Sequence, residues 1–170
     1  MTSALRRAGW IFLAVLFIAT GLGVGVVGFW QATHQKVDTE ENQVKTERLK
    51  GAKLAEFTPV AKVDSLQSID LVAGTGAEVK PGATVTVQYT GAVAATGTIF
   101  ESSIDTGQPV TFSLNQVIKG WTNGLPGMKV NGQRRLLIPA DLAYGANPPL
   151  GSGIPANADL VFDIVLLDVK

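Results

Sequence analysis

The sequence predicts an α+β domain, a small antiparallel sheet with one short helix packed on its concave face, preceded by a single transmembrane helix. Three observations predict it. From Phe57 onward, short β-branched and aliphatic runs alternate with Gly/Pro turns. One short helix signal stands among them, Val117-Ile118-Lys119-Gly120-Trp121, preceded by Asn115 as N-cap and closed by Gly124, Pro126 and Gly127. At the other end of the chain, Gly9 to Trp30 form an uncharged run of 22 residues, long enough to cross a bilayer as a helix.

Residues 1–8 form a tail whose Arg6 and Arg7 favour a cytoplasmic N-terminus. The span, residues 9–30, carries Trp10 and Trp30 at its ends, where amphipathic rings favour the interface. Ala19-Thr20-Gly21 has the small-residue spacing of a cleavage site, so a cleaved leader is the alternative; the unbroken apolar run to Trp30 favours an uncleaved anchor. Gly23 to Gly28 fits a dinucleotide fingerprint, but no strand precedes it and no ribose-binding acid follows in a βαβ unit. Gly21 and Gly25 have the spacing that lets membrane helices approach, which suggests a homodimer through the span, although a glycine-rich run needs no such explanation. Residues 31–56 read as a polar spacer, helical or disordered, with Glu41 and Lys45 spaced as an i,i+4 pair and a thin apolar stripe of Val44, Leu49 and Leu54. His34 lies here alone, a solvated side chain.

The domain proper is assigned to residues 57–170. Ser68–Val72 is its first strand. Thr84–Thr90 is the clearest, with Val85, Val87 and Tyr89 on one face. Ile99-Phe100 and Pro109–Phe112 are short strands. Gln133–Ile138 follows, with Arg134 and Arg135 on opposite faces and expected to be solvated or at an edge. Leu160–Val169 closes the domain with Leu160, Phe162, Ile164 and Leu166 on one side. Strands of this length around one short helix imply an antiparallel α+β architecture.

Composition excludes several functions. The chain has no cysteine, and residues 57–170 have no histidine, so Cys–His and Ser–His–Asp catalysis and a His/Cys zinc site are absent; no cofactor is expected. Residues 57–170 carry seven Lys/Arg against nine Asp/Glu, a sign opposed to nucleic-acid binding. Glu101 and Asp105 could be read as an acid/base pair, but Phe100-Glu101-Ser102-Ser103 fits a turn whose short polar side chains bond nearby backbone.

What remains abundant is aromatic and aliphatic: Tyr89, Phe100, Phe112, Val117, Ile118, Trp121, Tyr144, Ile154 and Phe162. Trp121 reads either as a core tryptophan or as the floor of an apolar pocket. Tyr144 falls in a loop, Tyr144–Pro149, where aromatics tend to be functional. An apolar pocket with two phenols suits a ligand that is mostly hydrocarbon and carries a carbonyl or two.

Tyr89-Thr90-Gly91, Phe100-Glu101-Ser102-Ser103, Val117–Trp121, Gly127-Met128, Tyr144-Gly145, Ile154-Pro155 and Leu160–Asp163 occur in an order and at spacings that resemble the FKBP-type peptidyl-prolyl cis-trans isomerases over about 105 residues. The resemblance implies a twisted antiparallel half-barrel around the short helix. It implies a proline pocket lined by Tyr89, Phe100, Glu101, Val117, Ile118, Trp121, Tyr144, Ile154 and Phe162, with Val110 on one wall. Trp121 would lie under the proline ring, the Ile118 N–H and Tyr144 hydroxyl would take substrate carbonyls, and Tyr89 with Glu101 would form the polar side. The chain departs from the family where Glu101 replaces an aspartate, Val110 an aromatic and Gln116 an acid, and its Asn147–Gly153 loop is a residue longer.

The implied activity is peptidyl-prolyl isomerisation of proline-containing clients, with macrolide inhibitors as further ligands. Two other readings share the pocket: a non-catalytic proline-peptide module or chaperone, and a carrier of a small apolar molecule. With the anchor, the expected place is the cytoplasmic membrane, single-pass, with the C-terminal domain outside.

Overall fold

The computed structural model describes residues 48–170. The expected membrane span, its glycine spacing, His34 and most of the spacer lie outside the described residues. Among the described residues no helix is long and apolar enough to cross a membrane.

Six antiparallel strands form one sheet: β1 (Gln67–Val72), β2 (Thr84–Val93), β3 (Ile99–Ser102), β4 (Val110–Ser113), β5 (Gln133–Ile138) and β6 (Leu160–Val169). Their order is β1-β5-β6-β2-β3, and β4 pairs with β2 beside β3. The long central pair runs from Val85 opposite Val169 to Val93 opposite Leu160. Alternation decides its faces. Val85, Val87 and Tyr89 of β2, with Leu160, Phe162, Ile164 and Leu166 of β6, enter the main core as the period of two requires.

The helix α1 (Lys119–Gly124) packs into that core through Trp121 and Leu125. It starts later than the N-cap Asn115 predicts. Ile118 stands at the cap without a side-chain bond, because residues 114–117 turn after β4 and bury Leu114 instead. Thr122 Oγ1 donates to the Leu114 carbonyl at 2.7 Å and ties helix to turn. Gly120 lets α1 lie close on β5, since a Cβ there would come within 2.4 Å of Ile138 Cγ2.

Arg134 corrects the expectation of a solvated arginine. It is 7 % exposed, forks onto both Asp70 oxygens at 2.6 and 3.1 Å, and donates to the Gly124 carbonyl at 2.8 Å. The C-terminus of α1 leaves carbonyls without helical partners, and a buried guanidinium satisfies them. The Arg134 hydrogen bond holds the Asp70 carboxyl below its ordinary 3.8. A depressed folded-state pKa stabilises the fold above the unfolded value and is lost as pH falls through the folded one. Acid is therefore expected to lower the melting temperature below about pH 4, and less so in Asp70→Asn, as thermal melts across pH would show.

Arg135, on the opposite face, also is not free. It chelates Asp163 at 2.6 and 2.7 Å, donates to the carbonyls of Glu56 and Ala55, and lies 5.4 Å from the Phe57 ring centroid. These contacts hold an arm, residues 48–63, on the outer sheet face. Leu54 and Val63 bury against Ala92, Ile99, Leu137 and Val161 there. Residues 48–56, expected in the spacer, are thus packed on the domain, and the folded region begins ahead of Phe57. Of the thin stripe that suggested a solvated segment, the two described residues dock: Leu54 is buried, and Leu49 packs beside the cluster.

Candidate active site

Above α1 the concave face opens into a cleft of about 460 Å³. Its floor is Trp121, 4 % exposed, with its indole edge-to-face against Tyr89, Phe112 and Phe162 at 5.5, 5.5 and 5.4 Å between centroids. Both readings of this residue hold: it belongs to the core and it lines the cleft. Val117 and Ile118 line the side nearest the helix start. Ile118 occupies the cap, where a helix leaves N–H groups without intrahelical partners. Tyr89, Glu101 and Tyr144 supply the polar atoms and Phe162 the far wall.

A serine and threonine network holds the Glu101 end of β3. Ser102 Oγ lies 2.9 Å from Thr90 Oγ1, and Ser103 Oγ accepts the Tyr89 N–H at 2.9 Å and donates to Gln88. The Ile104 N–H donates to Ser102 Oγ at 3.3 Å. This is the turn chemistry expected of Phe100-Glu101-Ser102-Ser103. Burial, and after it the neighbouring Glu101 carboxylate, push the Tyr89 phenol well above its ordinary 10.0; the same two causes raise Tyr144. Both phenols stay protonated in the neutral range, as donors.

Of the ten residues chosen from sequence, seven line this cleft. Phe100 and Ile154 line an adjoining cleft of about 600 Å³, which shares Glu101 and Tyr144 with the first. Val110 lines neither. It shares a face of β4 with Phe112, but its short side chain ends against the core. Phe112 takes the wall instead, and Gln116 joins it. The period of two in Val110-Thr111-Phe112 puts both residues on one face, and only the larger reaches the opening. Trp121 Nε1 is the sole buried side-chain polar atom without a hydrogen-bond partner among the described residues. No group of three His, Cys, Asp or Glu side chains among them is placed to hold a metal.

A family model described as FKBP-type peptidyl-prolyl cis-trans isomerase matches residues 76–167, just over half of the chain. The chain belongs to the FKBP-type peptidyl-prolyl cis-trans isomerase family. Among relatives of this FKBP domain, a "Probable FK506-binding protein" of Corynebacterium glutamicum is 50% identical over 99 residues, 58% of this chain and 81% of that one. The "Outer membrane protein MIP" of Legionella longbeachae is 40% identical over 131 residues, 77% of this chain and 55% of that one. The chain spans about half the length of such longer relatives. The crystal structure of FkpA from Escherichia coli is similar at TM-score 0.57 and 34% identity, covering 89% of this chain and 75% of that one.

Proposed function

We propose that the FKBP domain accelerates rotation about X–Pro bonds in exported or envelope proteins by holding the bond in a dry aromatic cleft. The observation that carries this reading is a cleft open to a peptide whose floor, Trp121, is otherwise buried among aromatic rings. Rotation costs roughly 18–20 kcal/mol because amide resonance is lost in the twisted state. There the carbonyl oxygen carries less negative charge and the nitrogen turns pyramidal. Water favours the planar, polar ground state, so removing it lowers the barrier, and each ~1.4 kcal/mol removed gives about tenfold in rate.

In this reading the proline ring rests on Trp121 against Phe162 and Val117. The Ile118 N–H and the Tyr144 hydroxyl bind the flanking carbonyls, Tyr89 and Glu101 form the polar side, and Phe100 and Ile154 meet the neighbouring residue. Val110 has no part. The pocket also takes macrolides of the kind for which the Corynebacterium relative is named. The run Gly9–Trp30 tethers the domain outside the cytoplasmic membrane; the name of the Legionella relative, an outer membrane protein, supports the envelope but not this tether.

Full-length chain should isomerise a proline peptide above the uncatalysed rate, followed by NMR exchange. Tyr144→Phe should lower kcat/KM about twofold to tenfold, the worth of one hydrogen bond. Peptide binding without any rate above background would replace the isomerase with a docking module. Protease accessibility of the domain in spheroplasts tests its side of the membrane.

A further inference from the structure

The outer cleft differs in character from the proline cleft. One wall is apolar, with Tyr144, Pro149, Ile154 and a fully exposed Leu150. The other includes Arg48 and Lys50, which come from the arm rather than from the sheet. Asp105 puts them there. Its Oδ1 accepts the Leu49 N–H at 2.7 Å and its Oδ2 the Lys50 N–H at 3.1 Å, while the Gly51 N–H donates to the Ile99 carbonyl at 2.8 Å. The arm is thus fixed along β3 and the turn after it, with two cations facing the cleft.

We propose that Arg48 and Lys50 are specificity-determining residues of the isomerase, selecting clients that carry an acidic residue two or three positions from the proline. The cleft adjoins the proline pocket and shares Glu101 and Tyr144 with it, so a chain leaving the pocket on that side passes along it. An extended chain advances about 3.3–3.6 Å per residue, which carries the second or third flanking side chain past the junction to the arm. Among the described residues, neither Arg48 nor Lys50 has a carboxylate within ion-pairing distance. Two acids also line the cleft. Asp105 has both oxygens engaged by the arm amides. Glu101 stands at the junction and repels an acid directly beside the proline, so the preference depends on position. An exposed ion pair is worth about a twofold to fivefold change in binding, and salt screens it.

The proposal rests on the isomerase reading, and the experiment separates the two. Exchange catalysed by the full-length chain is measured on peptide series with Glu, Gln or Lys at the second or at the third position before the proline, and on matching series after it. In one series Glu should exceed Lys in kcat/KM by about twofold to fivefold at low salt. The ratio should fall to one in the double variant Arg48→Gln/Lys50→Gln and in about 1 M salt. A ratio of one in every series for the unaltered chain, or a preference that survives in the double variant, overturns the assignment. A chain inactive on every peptide, the neutral one included, overturns the isomerase reading with it.

Discussion

Trp121→Ala is expected to lower kcat/KM for a proline peptide by about tenfold or more. A proline ring on the indole hides on the order of 60 Å² of apolar surface, ~1.5 kcal/mol, or about tenfold in rate if realised at the twisted bond. On the proposed desolvation mechanism, removing the ring lets water back to the imide, so the loss should appear in kcat as well as in KM. The indole is shared with the core, and Trp→Ala at a buried site costs ~3–5 kcal/mol of stability. Trp121→Leu keeps more of the packing and separates the effects. It should melt nearer the parent and still lose most of the rate. If both variants melt as folded proteins and keep the parental kcat/KM, the placement of the proline ring is wrong.

Gly91→Ala is expected to cost both stability and activity, although it adds one methyl to a central strand. A Cβ at Gly91 would come within 2.6 Å of Phe100 Cζ and 2.7 Å of Phe162 Cε1. Those rings stand edge-to-face at 5.7 Å, and Phe162 in turn packs on Trp121. Backbone on a paired strand has little room to yield, so the rings must move. Overpacking of this kind costs ~1–3 kcal/mol, and a displaced Phe162 should narrow the cleft above Trp121. Thermal melting and kcat/KM should fall together. An unchanged melting temperature would mean that the aromatic layer is looser than the geometry indicates.

The two arginines show where reading the sequence stops. Period two places Arg134 and Arg135 on opposite faces, and they are. Whether a face is wet depends on what covers it. Asp70 and the end of α1 cover one face; Glu56, Phe57 and Asp163 meet the other. Partners of Arg135 about 80 residues away in the chain leave no local pattern. The arm is similar: Leu49 and Leu54 make too thin a stripe for a helix, yet suffice for a turn-rich segment bonded to Gly97 and Ile99. The misplaced helix start has a local cause, since Asn115 has cap chemistry but the buried Leu114 sets the turn.

By itself, the sequence determined the strand faces, the one short α-helix, the absence of histidine and cysteine from Phe57 onward, and the fragments that mark the family. All of these follow from local periodicity, composition and order along the chain. Tertiary structure decided that Phe112 rather than Val110 reaches the cleft, and that residues 48–63 clothe the outer face. It also set the outer cleft beside Arg48 and Lys50. The physical reason is the same in each case: side-chain reach and burial are set by neighbours brought together across the sheet, and their distance in sequence leaves no repeat to read.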